Sequence, residues 1–381
     1  MIPGDVLLSV FIDANILFVV ALCLWTFARF ITRQFGLKHA YSTELRLLNG
    51  VFVAILVSPL LVMIVHLAQR SGVASDVSIN LSDIIVSHYL NGAFEMKASE
   101  FERLLMARDT FTLNIATGAS WLAWSVLGVF IAGLAVGFTR LAVSMLCLRR
   151  IVSESYAWRR FGRVRLRVSD TTLVPFSTRG IRNYYVVIPS HMLGQKDELT
   201  VSLAHEFQHL RQGDIDWEIL LEALKPIFFL NPAYHAWKRK VEDLRELSCD
   251  SEVLRRGRID VQDYCETLLS VSQQTLSRDR MFLVAVPKVA LVTADRASGH
   301  VGKMSFLELR IKSMLDRGQA RVHKLIYGAI VVPLVGSIFL IAIAIQSPGD
   351  WSQDRLMLST VVNLERLDKI NRLSAFGRVR N

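Results

Sequence analysis

The stretch LLNGVFVAILVSPLLVMIVHLA, residues 47–68, contains no aspartate, glutamate, lysine or arginine. A helix of about 20 predominantly apolar residues is long enough to cross the hydrocarbon core of a bilayer. Three further stretches are almost as apolar, at residues 6–27, 118–138 and 325–345. A buried helix of a soluble protein could imitate one of them. Four such stretches favour a polytopic membrane protein with four transmembrane helices.

The composition agrees with a membrane protein and also raises a second possibility. Of the 381 residues, 52% are hydrophobic and 20% are charged, and the net charge is +10. A basic surplus is typical either of nucleic-acid binders or of membrane proteins whose lysines and arginines face the cytoplasm. The sequence shows neither a helix-turn-helix pattern nor an aromatic–basic platform. We therefore expect no direct binding of nucleic acid.

The distribution of lysine and arginine predicts the orientation of the four helices. Basic residues are concentrated at residues 29–46, 140–160 and 310–324, which flank the apolar stretches. Because such flanks stay in the cytoplasm, both termini are expected outside. The predicted order is three transmembrane helices with an outer loop at about 70–111 (1–148), a cytoplasmic domain (149–322), a fourth transmembrane helix (323–346) and a short outer tail (347–381).

The cytoplasmic segment combines strand and helix patterns. Residues 163–170 and 184–190 are typical of strands and are separated by turn-forming residues around Pro175 and Gly180. Helical patterns follow, so the predicted fold class is mainly α, with an α+β cytoplasmic domain. The four cysteines have no CxxC spacing, and neither a cysteine zinc site nor a disulfide framework is predicted.

The segment KDELTVSLAHEFQHLRQGD, residues 196–214, has apolar residues at helical spacing and contains the pattern HExxH. In a helix, His205 and His209 lie one turn apart on one face, so both imidazoles can bind one metal ion. Glu206 is rotated about 100° around the axis and can reach a water molecule instead of the metal. The pattern predicts a zinc site with Glu206 as the catalytic base.

A catalytic zinc ion usually has three protein ligands, so a third ligand must come from elsewhere in the chain. A helix predicted at about 233–256 places Glu246 and Asp250 one turn apart on one face. Glu246 is then the third ligand, and Asp250 an acceptor that orients a ligand histidine. The spacing leaves three other candidates open: Glu222, Glu242 and His235.

Several segments together resemble the BlaR/MecR-type membrane metallopeptidases, and more distantly the HtpX and Ste24 membrane proteases. They are HEFQHLRQGD (205–214), FFLNP (228–232), ELSCD (246–250), the expected sheet segment VSDTTLVPFSTRG…YYVVIP (168–189), and SFLELRIKSML (305–315) just before the last apolar stretch. The resemblance covers about residues 150–345 and the two early apolar stretches.

The resemblance implies a gluzincin-like zinc peptidase of the bacterial cytoplasmic membrane that acts as an antirepressor. It implies Glu246 as the third zinc ligand and Asp250 as its partner acid. The β-lactam sensors of the family carry a penicillin-binding domain after the last span. Only about 35 residues follow that span here, without a serine–lysine acylation motif, so sensing by acylation is not expected.

The expected function is a membrane-embedded zinc metalloendopeptidase in signal transduction. Its substrate would be a cytoplasmic or membrane protein, such as a transcriptional repressor, or its own segment 276–303, which lacks a clear helical period. One alternative is an HtpX-like quality-control protease. Another is a non-enzymatic signalling scaffold with a structural zinc site. The presence of Glu206 favours an enzyme, because a structural zinc site has no need of a base.

Overall fold

The computed structural model describes residues 3–34, 40–70, 81–118, 120–277, 289–290, 306–316, 324–345 and 353–377. The chain divides into two units, each formed by segments that are distant in sequence. One consists of Met1–Leu24, Gly50–Phe130 and Ile330–Asn381, and the other of Trp25–Asn49 and Ile131–Ala329. The predicted boundaries at residues 148, 322 and 346 stay a prediction.

Helices form most of the described chain. They are α1 (Pro3–Gln34), α2 (Tyr41–Arg70), α3 (Leu81–Leu90), α4 (Ala98–Leu105), α5 (Ala107–Thr117), α6 (Trp121–Glu154), α7 (Lys196–Gln212), α8 (Asp214–Leu224), α9 (Pro232–Arg255), α10 (Val261–Ser277), α11 (Phe306–Leu315), α12 (Lys324–Ala344) and α13 (Gln353–Gly377). A 3-10 turn at Ser190–Gly194 precedes α7.

Among the described residues, four helices are long and apolar enough to cross a membrane. The corresponding segments are Leu8–Thr32, Tyr41–Val65, Trp121–Glu154 and Tyr327–Ala344. Each overlaps one of the four stretches predicted from the sequence. The mainly helical, polytopic fold class is therefore confirmed.

A five-stranded mixed sheet lies in the second unit, in the order β1-β2-β4-β3-β5. The strands are β1 (Tyr156–Phe161), β2 (Val164–Ser169), β3 (Phe176–Arg179), β4 (Tyr184–Pro189) and β5 (Val289–Ala290). β2 and β4 are parallel, and the other neighbours are antiparallel. β2 and β4 correspond to the two strands predicted from the sequence pattern, and β3 lies within the sheet segment 168–189 that the family resemblance implies. β1 and β5 were not predicted.

The sheet supports the helices that carry the candidate site. Val186 and Ile188 of β4 pack in one hydrophobic core with Val201 of α7, Val253 of α9 and Leu268 of α10. Burial of such side chains stabilises the unit by about 1.5–3 kcal/mol each. This core fixes α7 against α9, which positions the groups on their facing sides.

The start of α9 is fixed by its own sequence. The side chain of Asn231 accepts hydrogen bonds from the backbone N–H groups of Ala233 and Tyr234, and Pro232 occupies the first helical position. These are the residue types favoured at the two positions. The preceding turn packs on α6, where a side chain at Gly133 would collide with the Phe229 ring.

The first unit contains a helical cluster that the sequence analysis did not predict. Val86 of α3 and Phe101 of α4 share a core with Leu358 and Val362 of α13. The tail at 347–381 was predicted only as a short outer extension, and much of it forms α13. The Glu365 carboxylate of α13 also accepts a hydrogen bond of 3.0 Å from a backbone N–H of α4.

Candidate metal centre

Helix α7 places both histidines of the HExxH pattern where the spacing predicts. It ends at Gly213, whose φ of 74° lies in the left-handed region that favours glycine. His205 and His209 are fully buried. Their Nε2 atoms are 3.0 Å apart, and the ring planes are nearly perpendicular, at 85°. The two imidazoles therefore point toward one position.

Helix α9 brings the Glu246 carboxylate to the same position. One of its oxygens lies 3.4 Å from His205 Nε2, and the other lies 3.8 Å from His209 Nε2. Neither oxygen has a hydrogen-bond partner among the described residues. Burial alone would raise the pKa of Glu246, but His205, Arg310 and His209 together hold it below its usual value. The carboxylate is therefore charged and available to a cation.

These groups fit a zinc ion. Glu246 has the Arg310 guanidinium 3.4 Å away, but a buried carboxylate whose oxygens form no hydrogen bond is still costly. A divalent cation between it and the two Nε2 atoms would satisfy all three groups. Imidazole nitrogens with one carboxylate are a usual ligand set of catalytic zinc. The distances between the groups are short enough for one ion to bind them all after small side-chain movements.

The side chains behind the histidines orient their rings. With Nε2 turned to the centre, Nδ1–H of His209 donates to the Asp214 carboxylate at 2.7 Å, and Nδ1–H of His205 donates to the Tyr264 hydroxyl at 2.7 Å. The Tyr264 hydroxyl in turn donates to Asp250 at 2.7 Å. Partners of this kind fix the tautomer and the orientation of ligand histidines. Asp250 lies on the His205 side of the site, 3.3 Å from Nδ1.

The protonation of the two rings is coupled. Burial lowers the pKa of both rings. At His205 the surrounding acceptors, of which the Asp250 carboxylate carries the charge, outweigh that effect. The pKa of His205 is therefore raised well above its usual value, while burial and the charge on His205 keep that of His209 well below it. Because the two rings are in contact, a proton on one disfavours a proton on the other. A metal ion bound between them would take the place of that single proton.

Arg310 of α11 is a further buried part of the centre. Two of its nitrogens donate to the two oxygens of Asp250, each at 2.7 Å, and a third lies 3.4 Å from Glu246. Burial would raise the pKa of Asp250, but the Arg310 charge holds it well below its usual value. The sequence pattern indicates α11 only as a helix before the last span, and nothing in that pattern points to Arg310.

Glu206 is buried beside the two histidines. Its oxygens have no partner in standard hydrogen-bond geometry among the described residues, nor does the hydroxyl of Ser177. Burial raises the pKa of Glu206 to about 7, an effect that His205 and the Ser177 hydroxyl oppose. A carboxyl group with such a pKa can both accept and release a proton near neutral pH.

Cys249 offers a second possible donor that sequence reasoning did not single out. Its Sγ, together with His205 and His209, forms a group that could hold a metal ion. However, Sγ lies 3.5 Å from the Nδ1 atom of His205, on the ring edge turned away from Glu246. Burial raises the pKa of the thiol to about 12. The thiol is therefore protonated, which disfavours it as a ligand.

The competing candidates for the third ligand have other partners. Glu222 and Glu242 both pair with the ammonium group of Lys238, which is 2.8 Å from Glu222. His235 Nε2 lies 2.9 Å from a backbone carbonyl oxygen. The three acids Glu218, Glu222 and Glu242 are close enough to hold a cation, and the cation that they bind is the ammonium group of Lys238.

Comparison with known proteins identifies the family. A family profile described as BlaR1 peptidase M56 matches residues 8–290, about three quarters of the chain. The chain belongs to this family. A search of curated proteins finds no significant match. Membership confirms the BlaR/MecR-type resemblance, and with the four apolar helices it makes this M56 chain a membrane protein of a metallopeptidase family.

Proposed function

We propose that this M56 protein is a zinc-dependent metalloendopeptidase, with His205, His209 and Glu246 as ligands and Glu206 as the general base. The observation that carries the proposal is the convergence of two buried Nε2 atoms, 3.0 Å apart, with the Glu246 carboxylate, whose oxygens lie 3.4 Å and 3.8 Å from them and form no hydrogen bond in standard geometry among the described residues. Asp250, Asp214 and Tyr264 orient the ligand rings. Zinc fits this donor set better than Mg²⁺ or Ca²⁺, which prefer oxygen ligands.

The chemistry follows from these positions. When bound, zinc would polarise the carbonyl of the scissile peptide bond and make an attacking water molecule more acidic. Glu206 accepts the proton of that water and passes it to the departing amine. Its burial supports this role, because burial raises the pKa of the carboxyl group and so makes it a better proton acceptor.

The substrate is proposed to be a cytoplasmic protein or the cytoplasmic segment of a membrane protein. The clusters of lysine and arginine beside the spans support a cytoplasmic peptidase domain at 149–322 with both termini outside. In a bacterium, the membrane that borders the cytoplasm is the inner membrane, and we propose that location for the protein. A transcriptional repressor is the substrate that fits an antirepressor family.

One observation favours the chain itself as a second substrate. Val289 and Ala290 of β5 pair with Ser177 and Phe176 of β3. The Ser177 hydroxyl is near enough to Glu206 to lower the pKa of its carboxyl group. An extended peptide that adds a strand to a sheet edge is a common mode of peptide recognition. This pair belongs to the predicted self-cleavage segment 276–303, most of which lies outside the described residues.

Glu206→Gln is the decisive variant, because it keeps the shape of the site and removes the base. We expect it to retain zinc and to lose cleavage, whereas Glu266→Gln, an exposed carboxylate on α10, should behave as wild type. New protein termini, compared by proteomics between cells with wild-type and Glu206→Gln chains, would identify substrates. One or a few proteins would indicate a signalling protease, and many unfolded proteins a quality-control protease.

The same experiment addresses the other outcomes. A fragment that is present in the purified wild-type chain and absent from Glu206→Gln would show self-cleavage, and two intact chains that differ only by the substituted residue would exclude it. If the wild-type chain binds zinc but yields no termini that Glu206→Gln lacks, the structural-zinc scaffold replaces the enzyme.

A further inference from the structure

A groove of about 460 Å³ lies beside β1, on the side of α7 opposite the metal centre. Its floor is apolar and includes Trp158 and Phe161 of β1 and Phe207 of α7. Phe161 remains 53% exposed. Helix geometry places Phe207 and the ligand His205 on different sides of α7. The groove is therefore separate from the centre but is built on the same helix.

Four arginines line the groove, and no acidic residue does. Arg159 belongs to β1, Arg211 to α7, and Arg256 and Arg258 follow the end of α9. None of the four has an ion-pair partner among the residues that the structure describes. Charged residues on an edge strand commonly prevent aggregation, but only Arg159 lies on a strand. Four cations around an apolar floor are complementary to an acidic ligand.

Gln208 supplies an independent indication of a ligand. It lines the groove and is only 3% exposed. Its Oε1 atom has no hydrogen-bond partner within the described part of the chain. A buried acceptor without a donor costs about 1–3 kcal/mol. Because Oε1 itself is inaccessible, a peptide N–H in the groove would reach it after rotation of the Gln208 side chain, and the hydrogen bond would then remove this cost.

The strand beside the groove is open to such a peptide. β1 is the first strand of the sheet order, and all six of its residues are exposed. Its pairing with β2 is irregular between Ala157 and Arg159. Because the outer edge of β1 has no neighbouring strand among the described residues, its backbone groups can bind an extended segment.

The position of β1 argues for a protein ligand rather than a lipid. Arg140 is the first charged residue of α6, and a charge inside the hydrocarbon core is costly, so the span ends before it. The helix from Arg140 to Glu154 is about 22 Å long at 1.5 Å per residue. β1 begins only beyond that length, which places it in the aqueous phase.

We propose that this groove is a docking site for an acidic segment of the protein substrate that carries a bulky apolar side chain. The arginines pair with its carboxylates, the aromatic floor takes the apolar side chain, and Gln208 accepts from its backbone. The proposal rests on the proposed function only in naming the ligand as substrate. Docking here would hold the substrate away from the scissile bond and select it by charge.

Binding of fluorescent peptides to the full-length protein in nanodiscs of neutral lipid tests the proposal. We expect an acidic peptide built around DEFDE to bind at least about tenfold more tightly than NQFNQ, with an affinity that falls as salt rises. The Arg159→Glu, Arg258→Glu double variant should lose this preference. Arg182→Glu, a matched exposed arginine outside the groove, should keep it.

Three results would overturn the docking site: equal binding of DEFDE and NQFNQ, unchanged binding by the double variant, or binding that requires anionic phosphatidylserine in the nanodisc. The last would indicate a lipid site. If the double variant is misfolded by its melting temperature, Arg211→Gln with Arg256→Gln replaces it. The zinc content of the wild type is measured in parallel. A wild type without zinc would contradict the proposed function, whereas the docking site would still stand or fall by the peptide binding.

Discussion

The Arg310→Met substitution probes how far the metal centre depends on α11. Methionine keeps much of the apolar volume of the arginine but removes its charge. The substitution would leave Asp250 and Glu246 buried without the cation that now lies 2.7 Å and 3.4 Å away. Glu246 and Asp250 lie 3.4 Å and 3.3 Å from His205, so their displacement would reach the proposed metal ligands directly.

The magnitude follows from the contacts. Arg310 donates two hydrogen bonds to Asp250 at 2.7 Å, and bonds between charged groups contribute about 1.5–3 kcal/mol each. Removing one partner of a buried ion pair costs about 3–5 kcal/mol. For a unit of this size the melting temperature should fall by roughly 6–20 °C. Loss of such outer partners typically weakens metal binding about 10- to 100-fold.

Two measurements on full-length protein in detergent test this prediction: the melting temperature and the zinc affinity by competition with a chelator. Arg310→Lys, which keeps the charge but not the two-pronged contact, should fall between wild type and Arg310→Met. Lys312→Met, an exposed residue of the same helix, is the control. Wild-type zinc affinity and a melting temperature within about 2 °C of wild type in Arg310→Met would refute the reasoning.

Three further predictions concern the neighbouring groups. Tyr264→Phe removes the hydroxyl between His205 and Asp250 and should weaken zinc binding about tenfold in chelator competition. The unchanged affinity of this variant would argue against a positioning role. Burial would raise the pKa of Glu218, but Arg245 and Lys238 lower it to about 2. Because that folded-state value lies below the ordinary 4.5, the stabilisation, on the order of 3 kcal/mol, is present above pH 4.5 and lost toward pH 2. Glu218→Gln should therefore be much less stable than wild type at pH 7, and the difference should become small only near pH 2 in denaturant titrations. Asn231→Ala removes the cap of α9 and should cost about 1 kcal/mol in the same titrations, with no change expected if the cap is dispensable.

The periodic parts of the chain were predictable because local patterns determine them. Apolar length alone located all four membrane helices. The four-residue spacing of His205 and His209 was enough to predict that both rings share one face of α7. β1 was missed because its exposed sequence YAWRRF lacks the alternation that marks a half-buried strand.

The residues behind the ligands could not be predicted, because they come together only through packing. Tyr264 and Arg310 belong to α10 and α11, and no spacing in the sequence relates them to His205. Asp214 follows His209 by five residues, and its contact depends on the turn at Gly213. Spacing also left Glu246 among several candidates, and only the tertiary contacts separate it from the acids around Lys238.

The metal content of the purified chain tests the central claim most directly. Elemental analysis of the wild type should find one zinc ion per chain, with the same content in Glu206→Gln. The content should be close to zero in a variant in which both His205 and His209 are alanine. A wild-type chain without a bound transition metal, or one that keeps its metal when both histidines are removed, would contradict the claim.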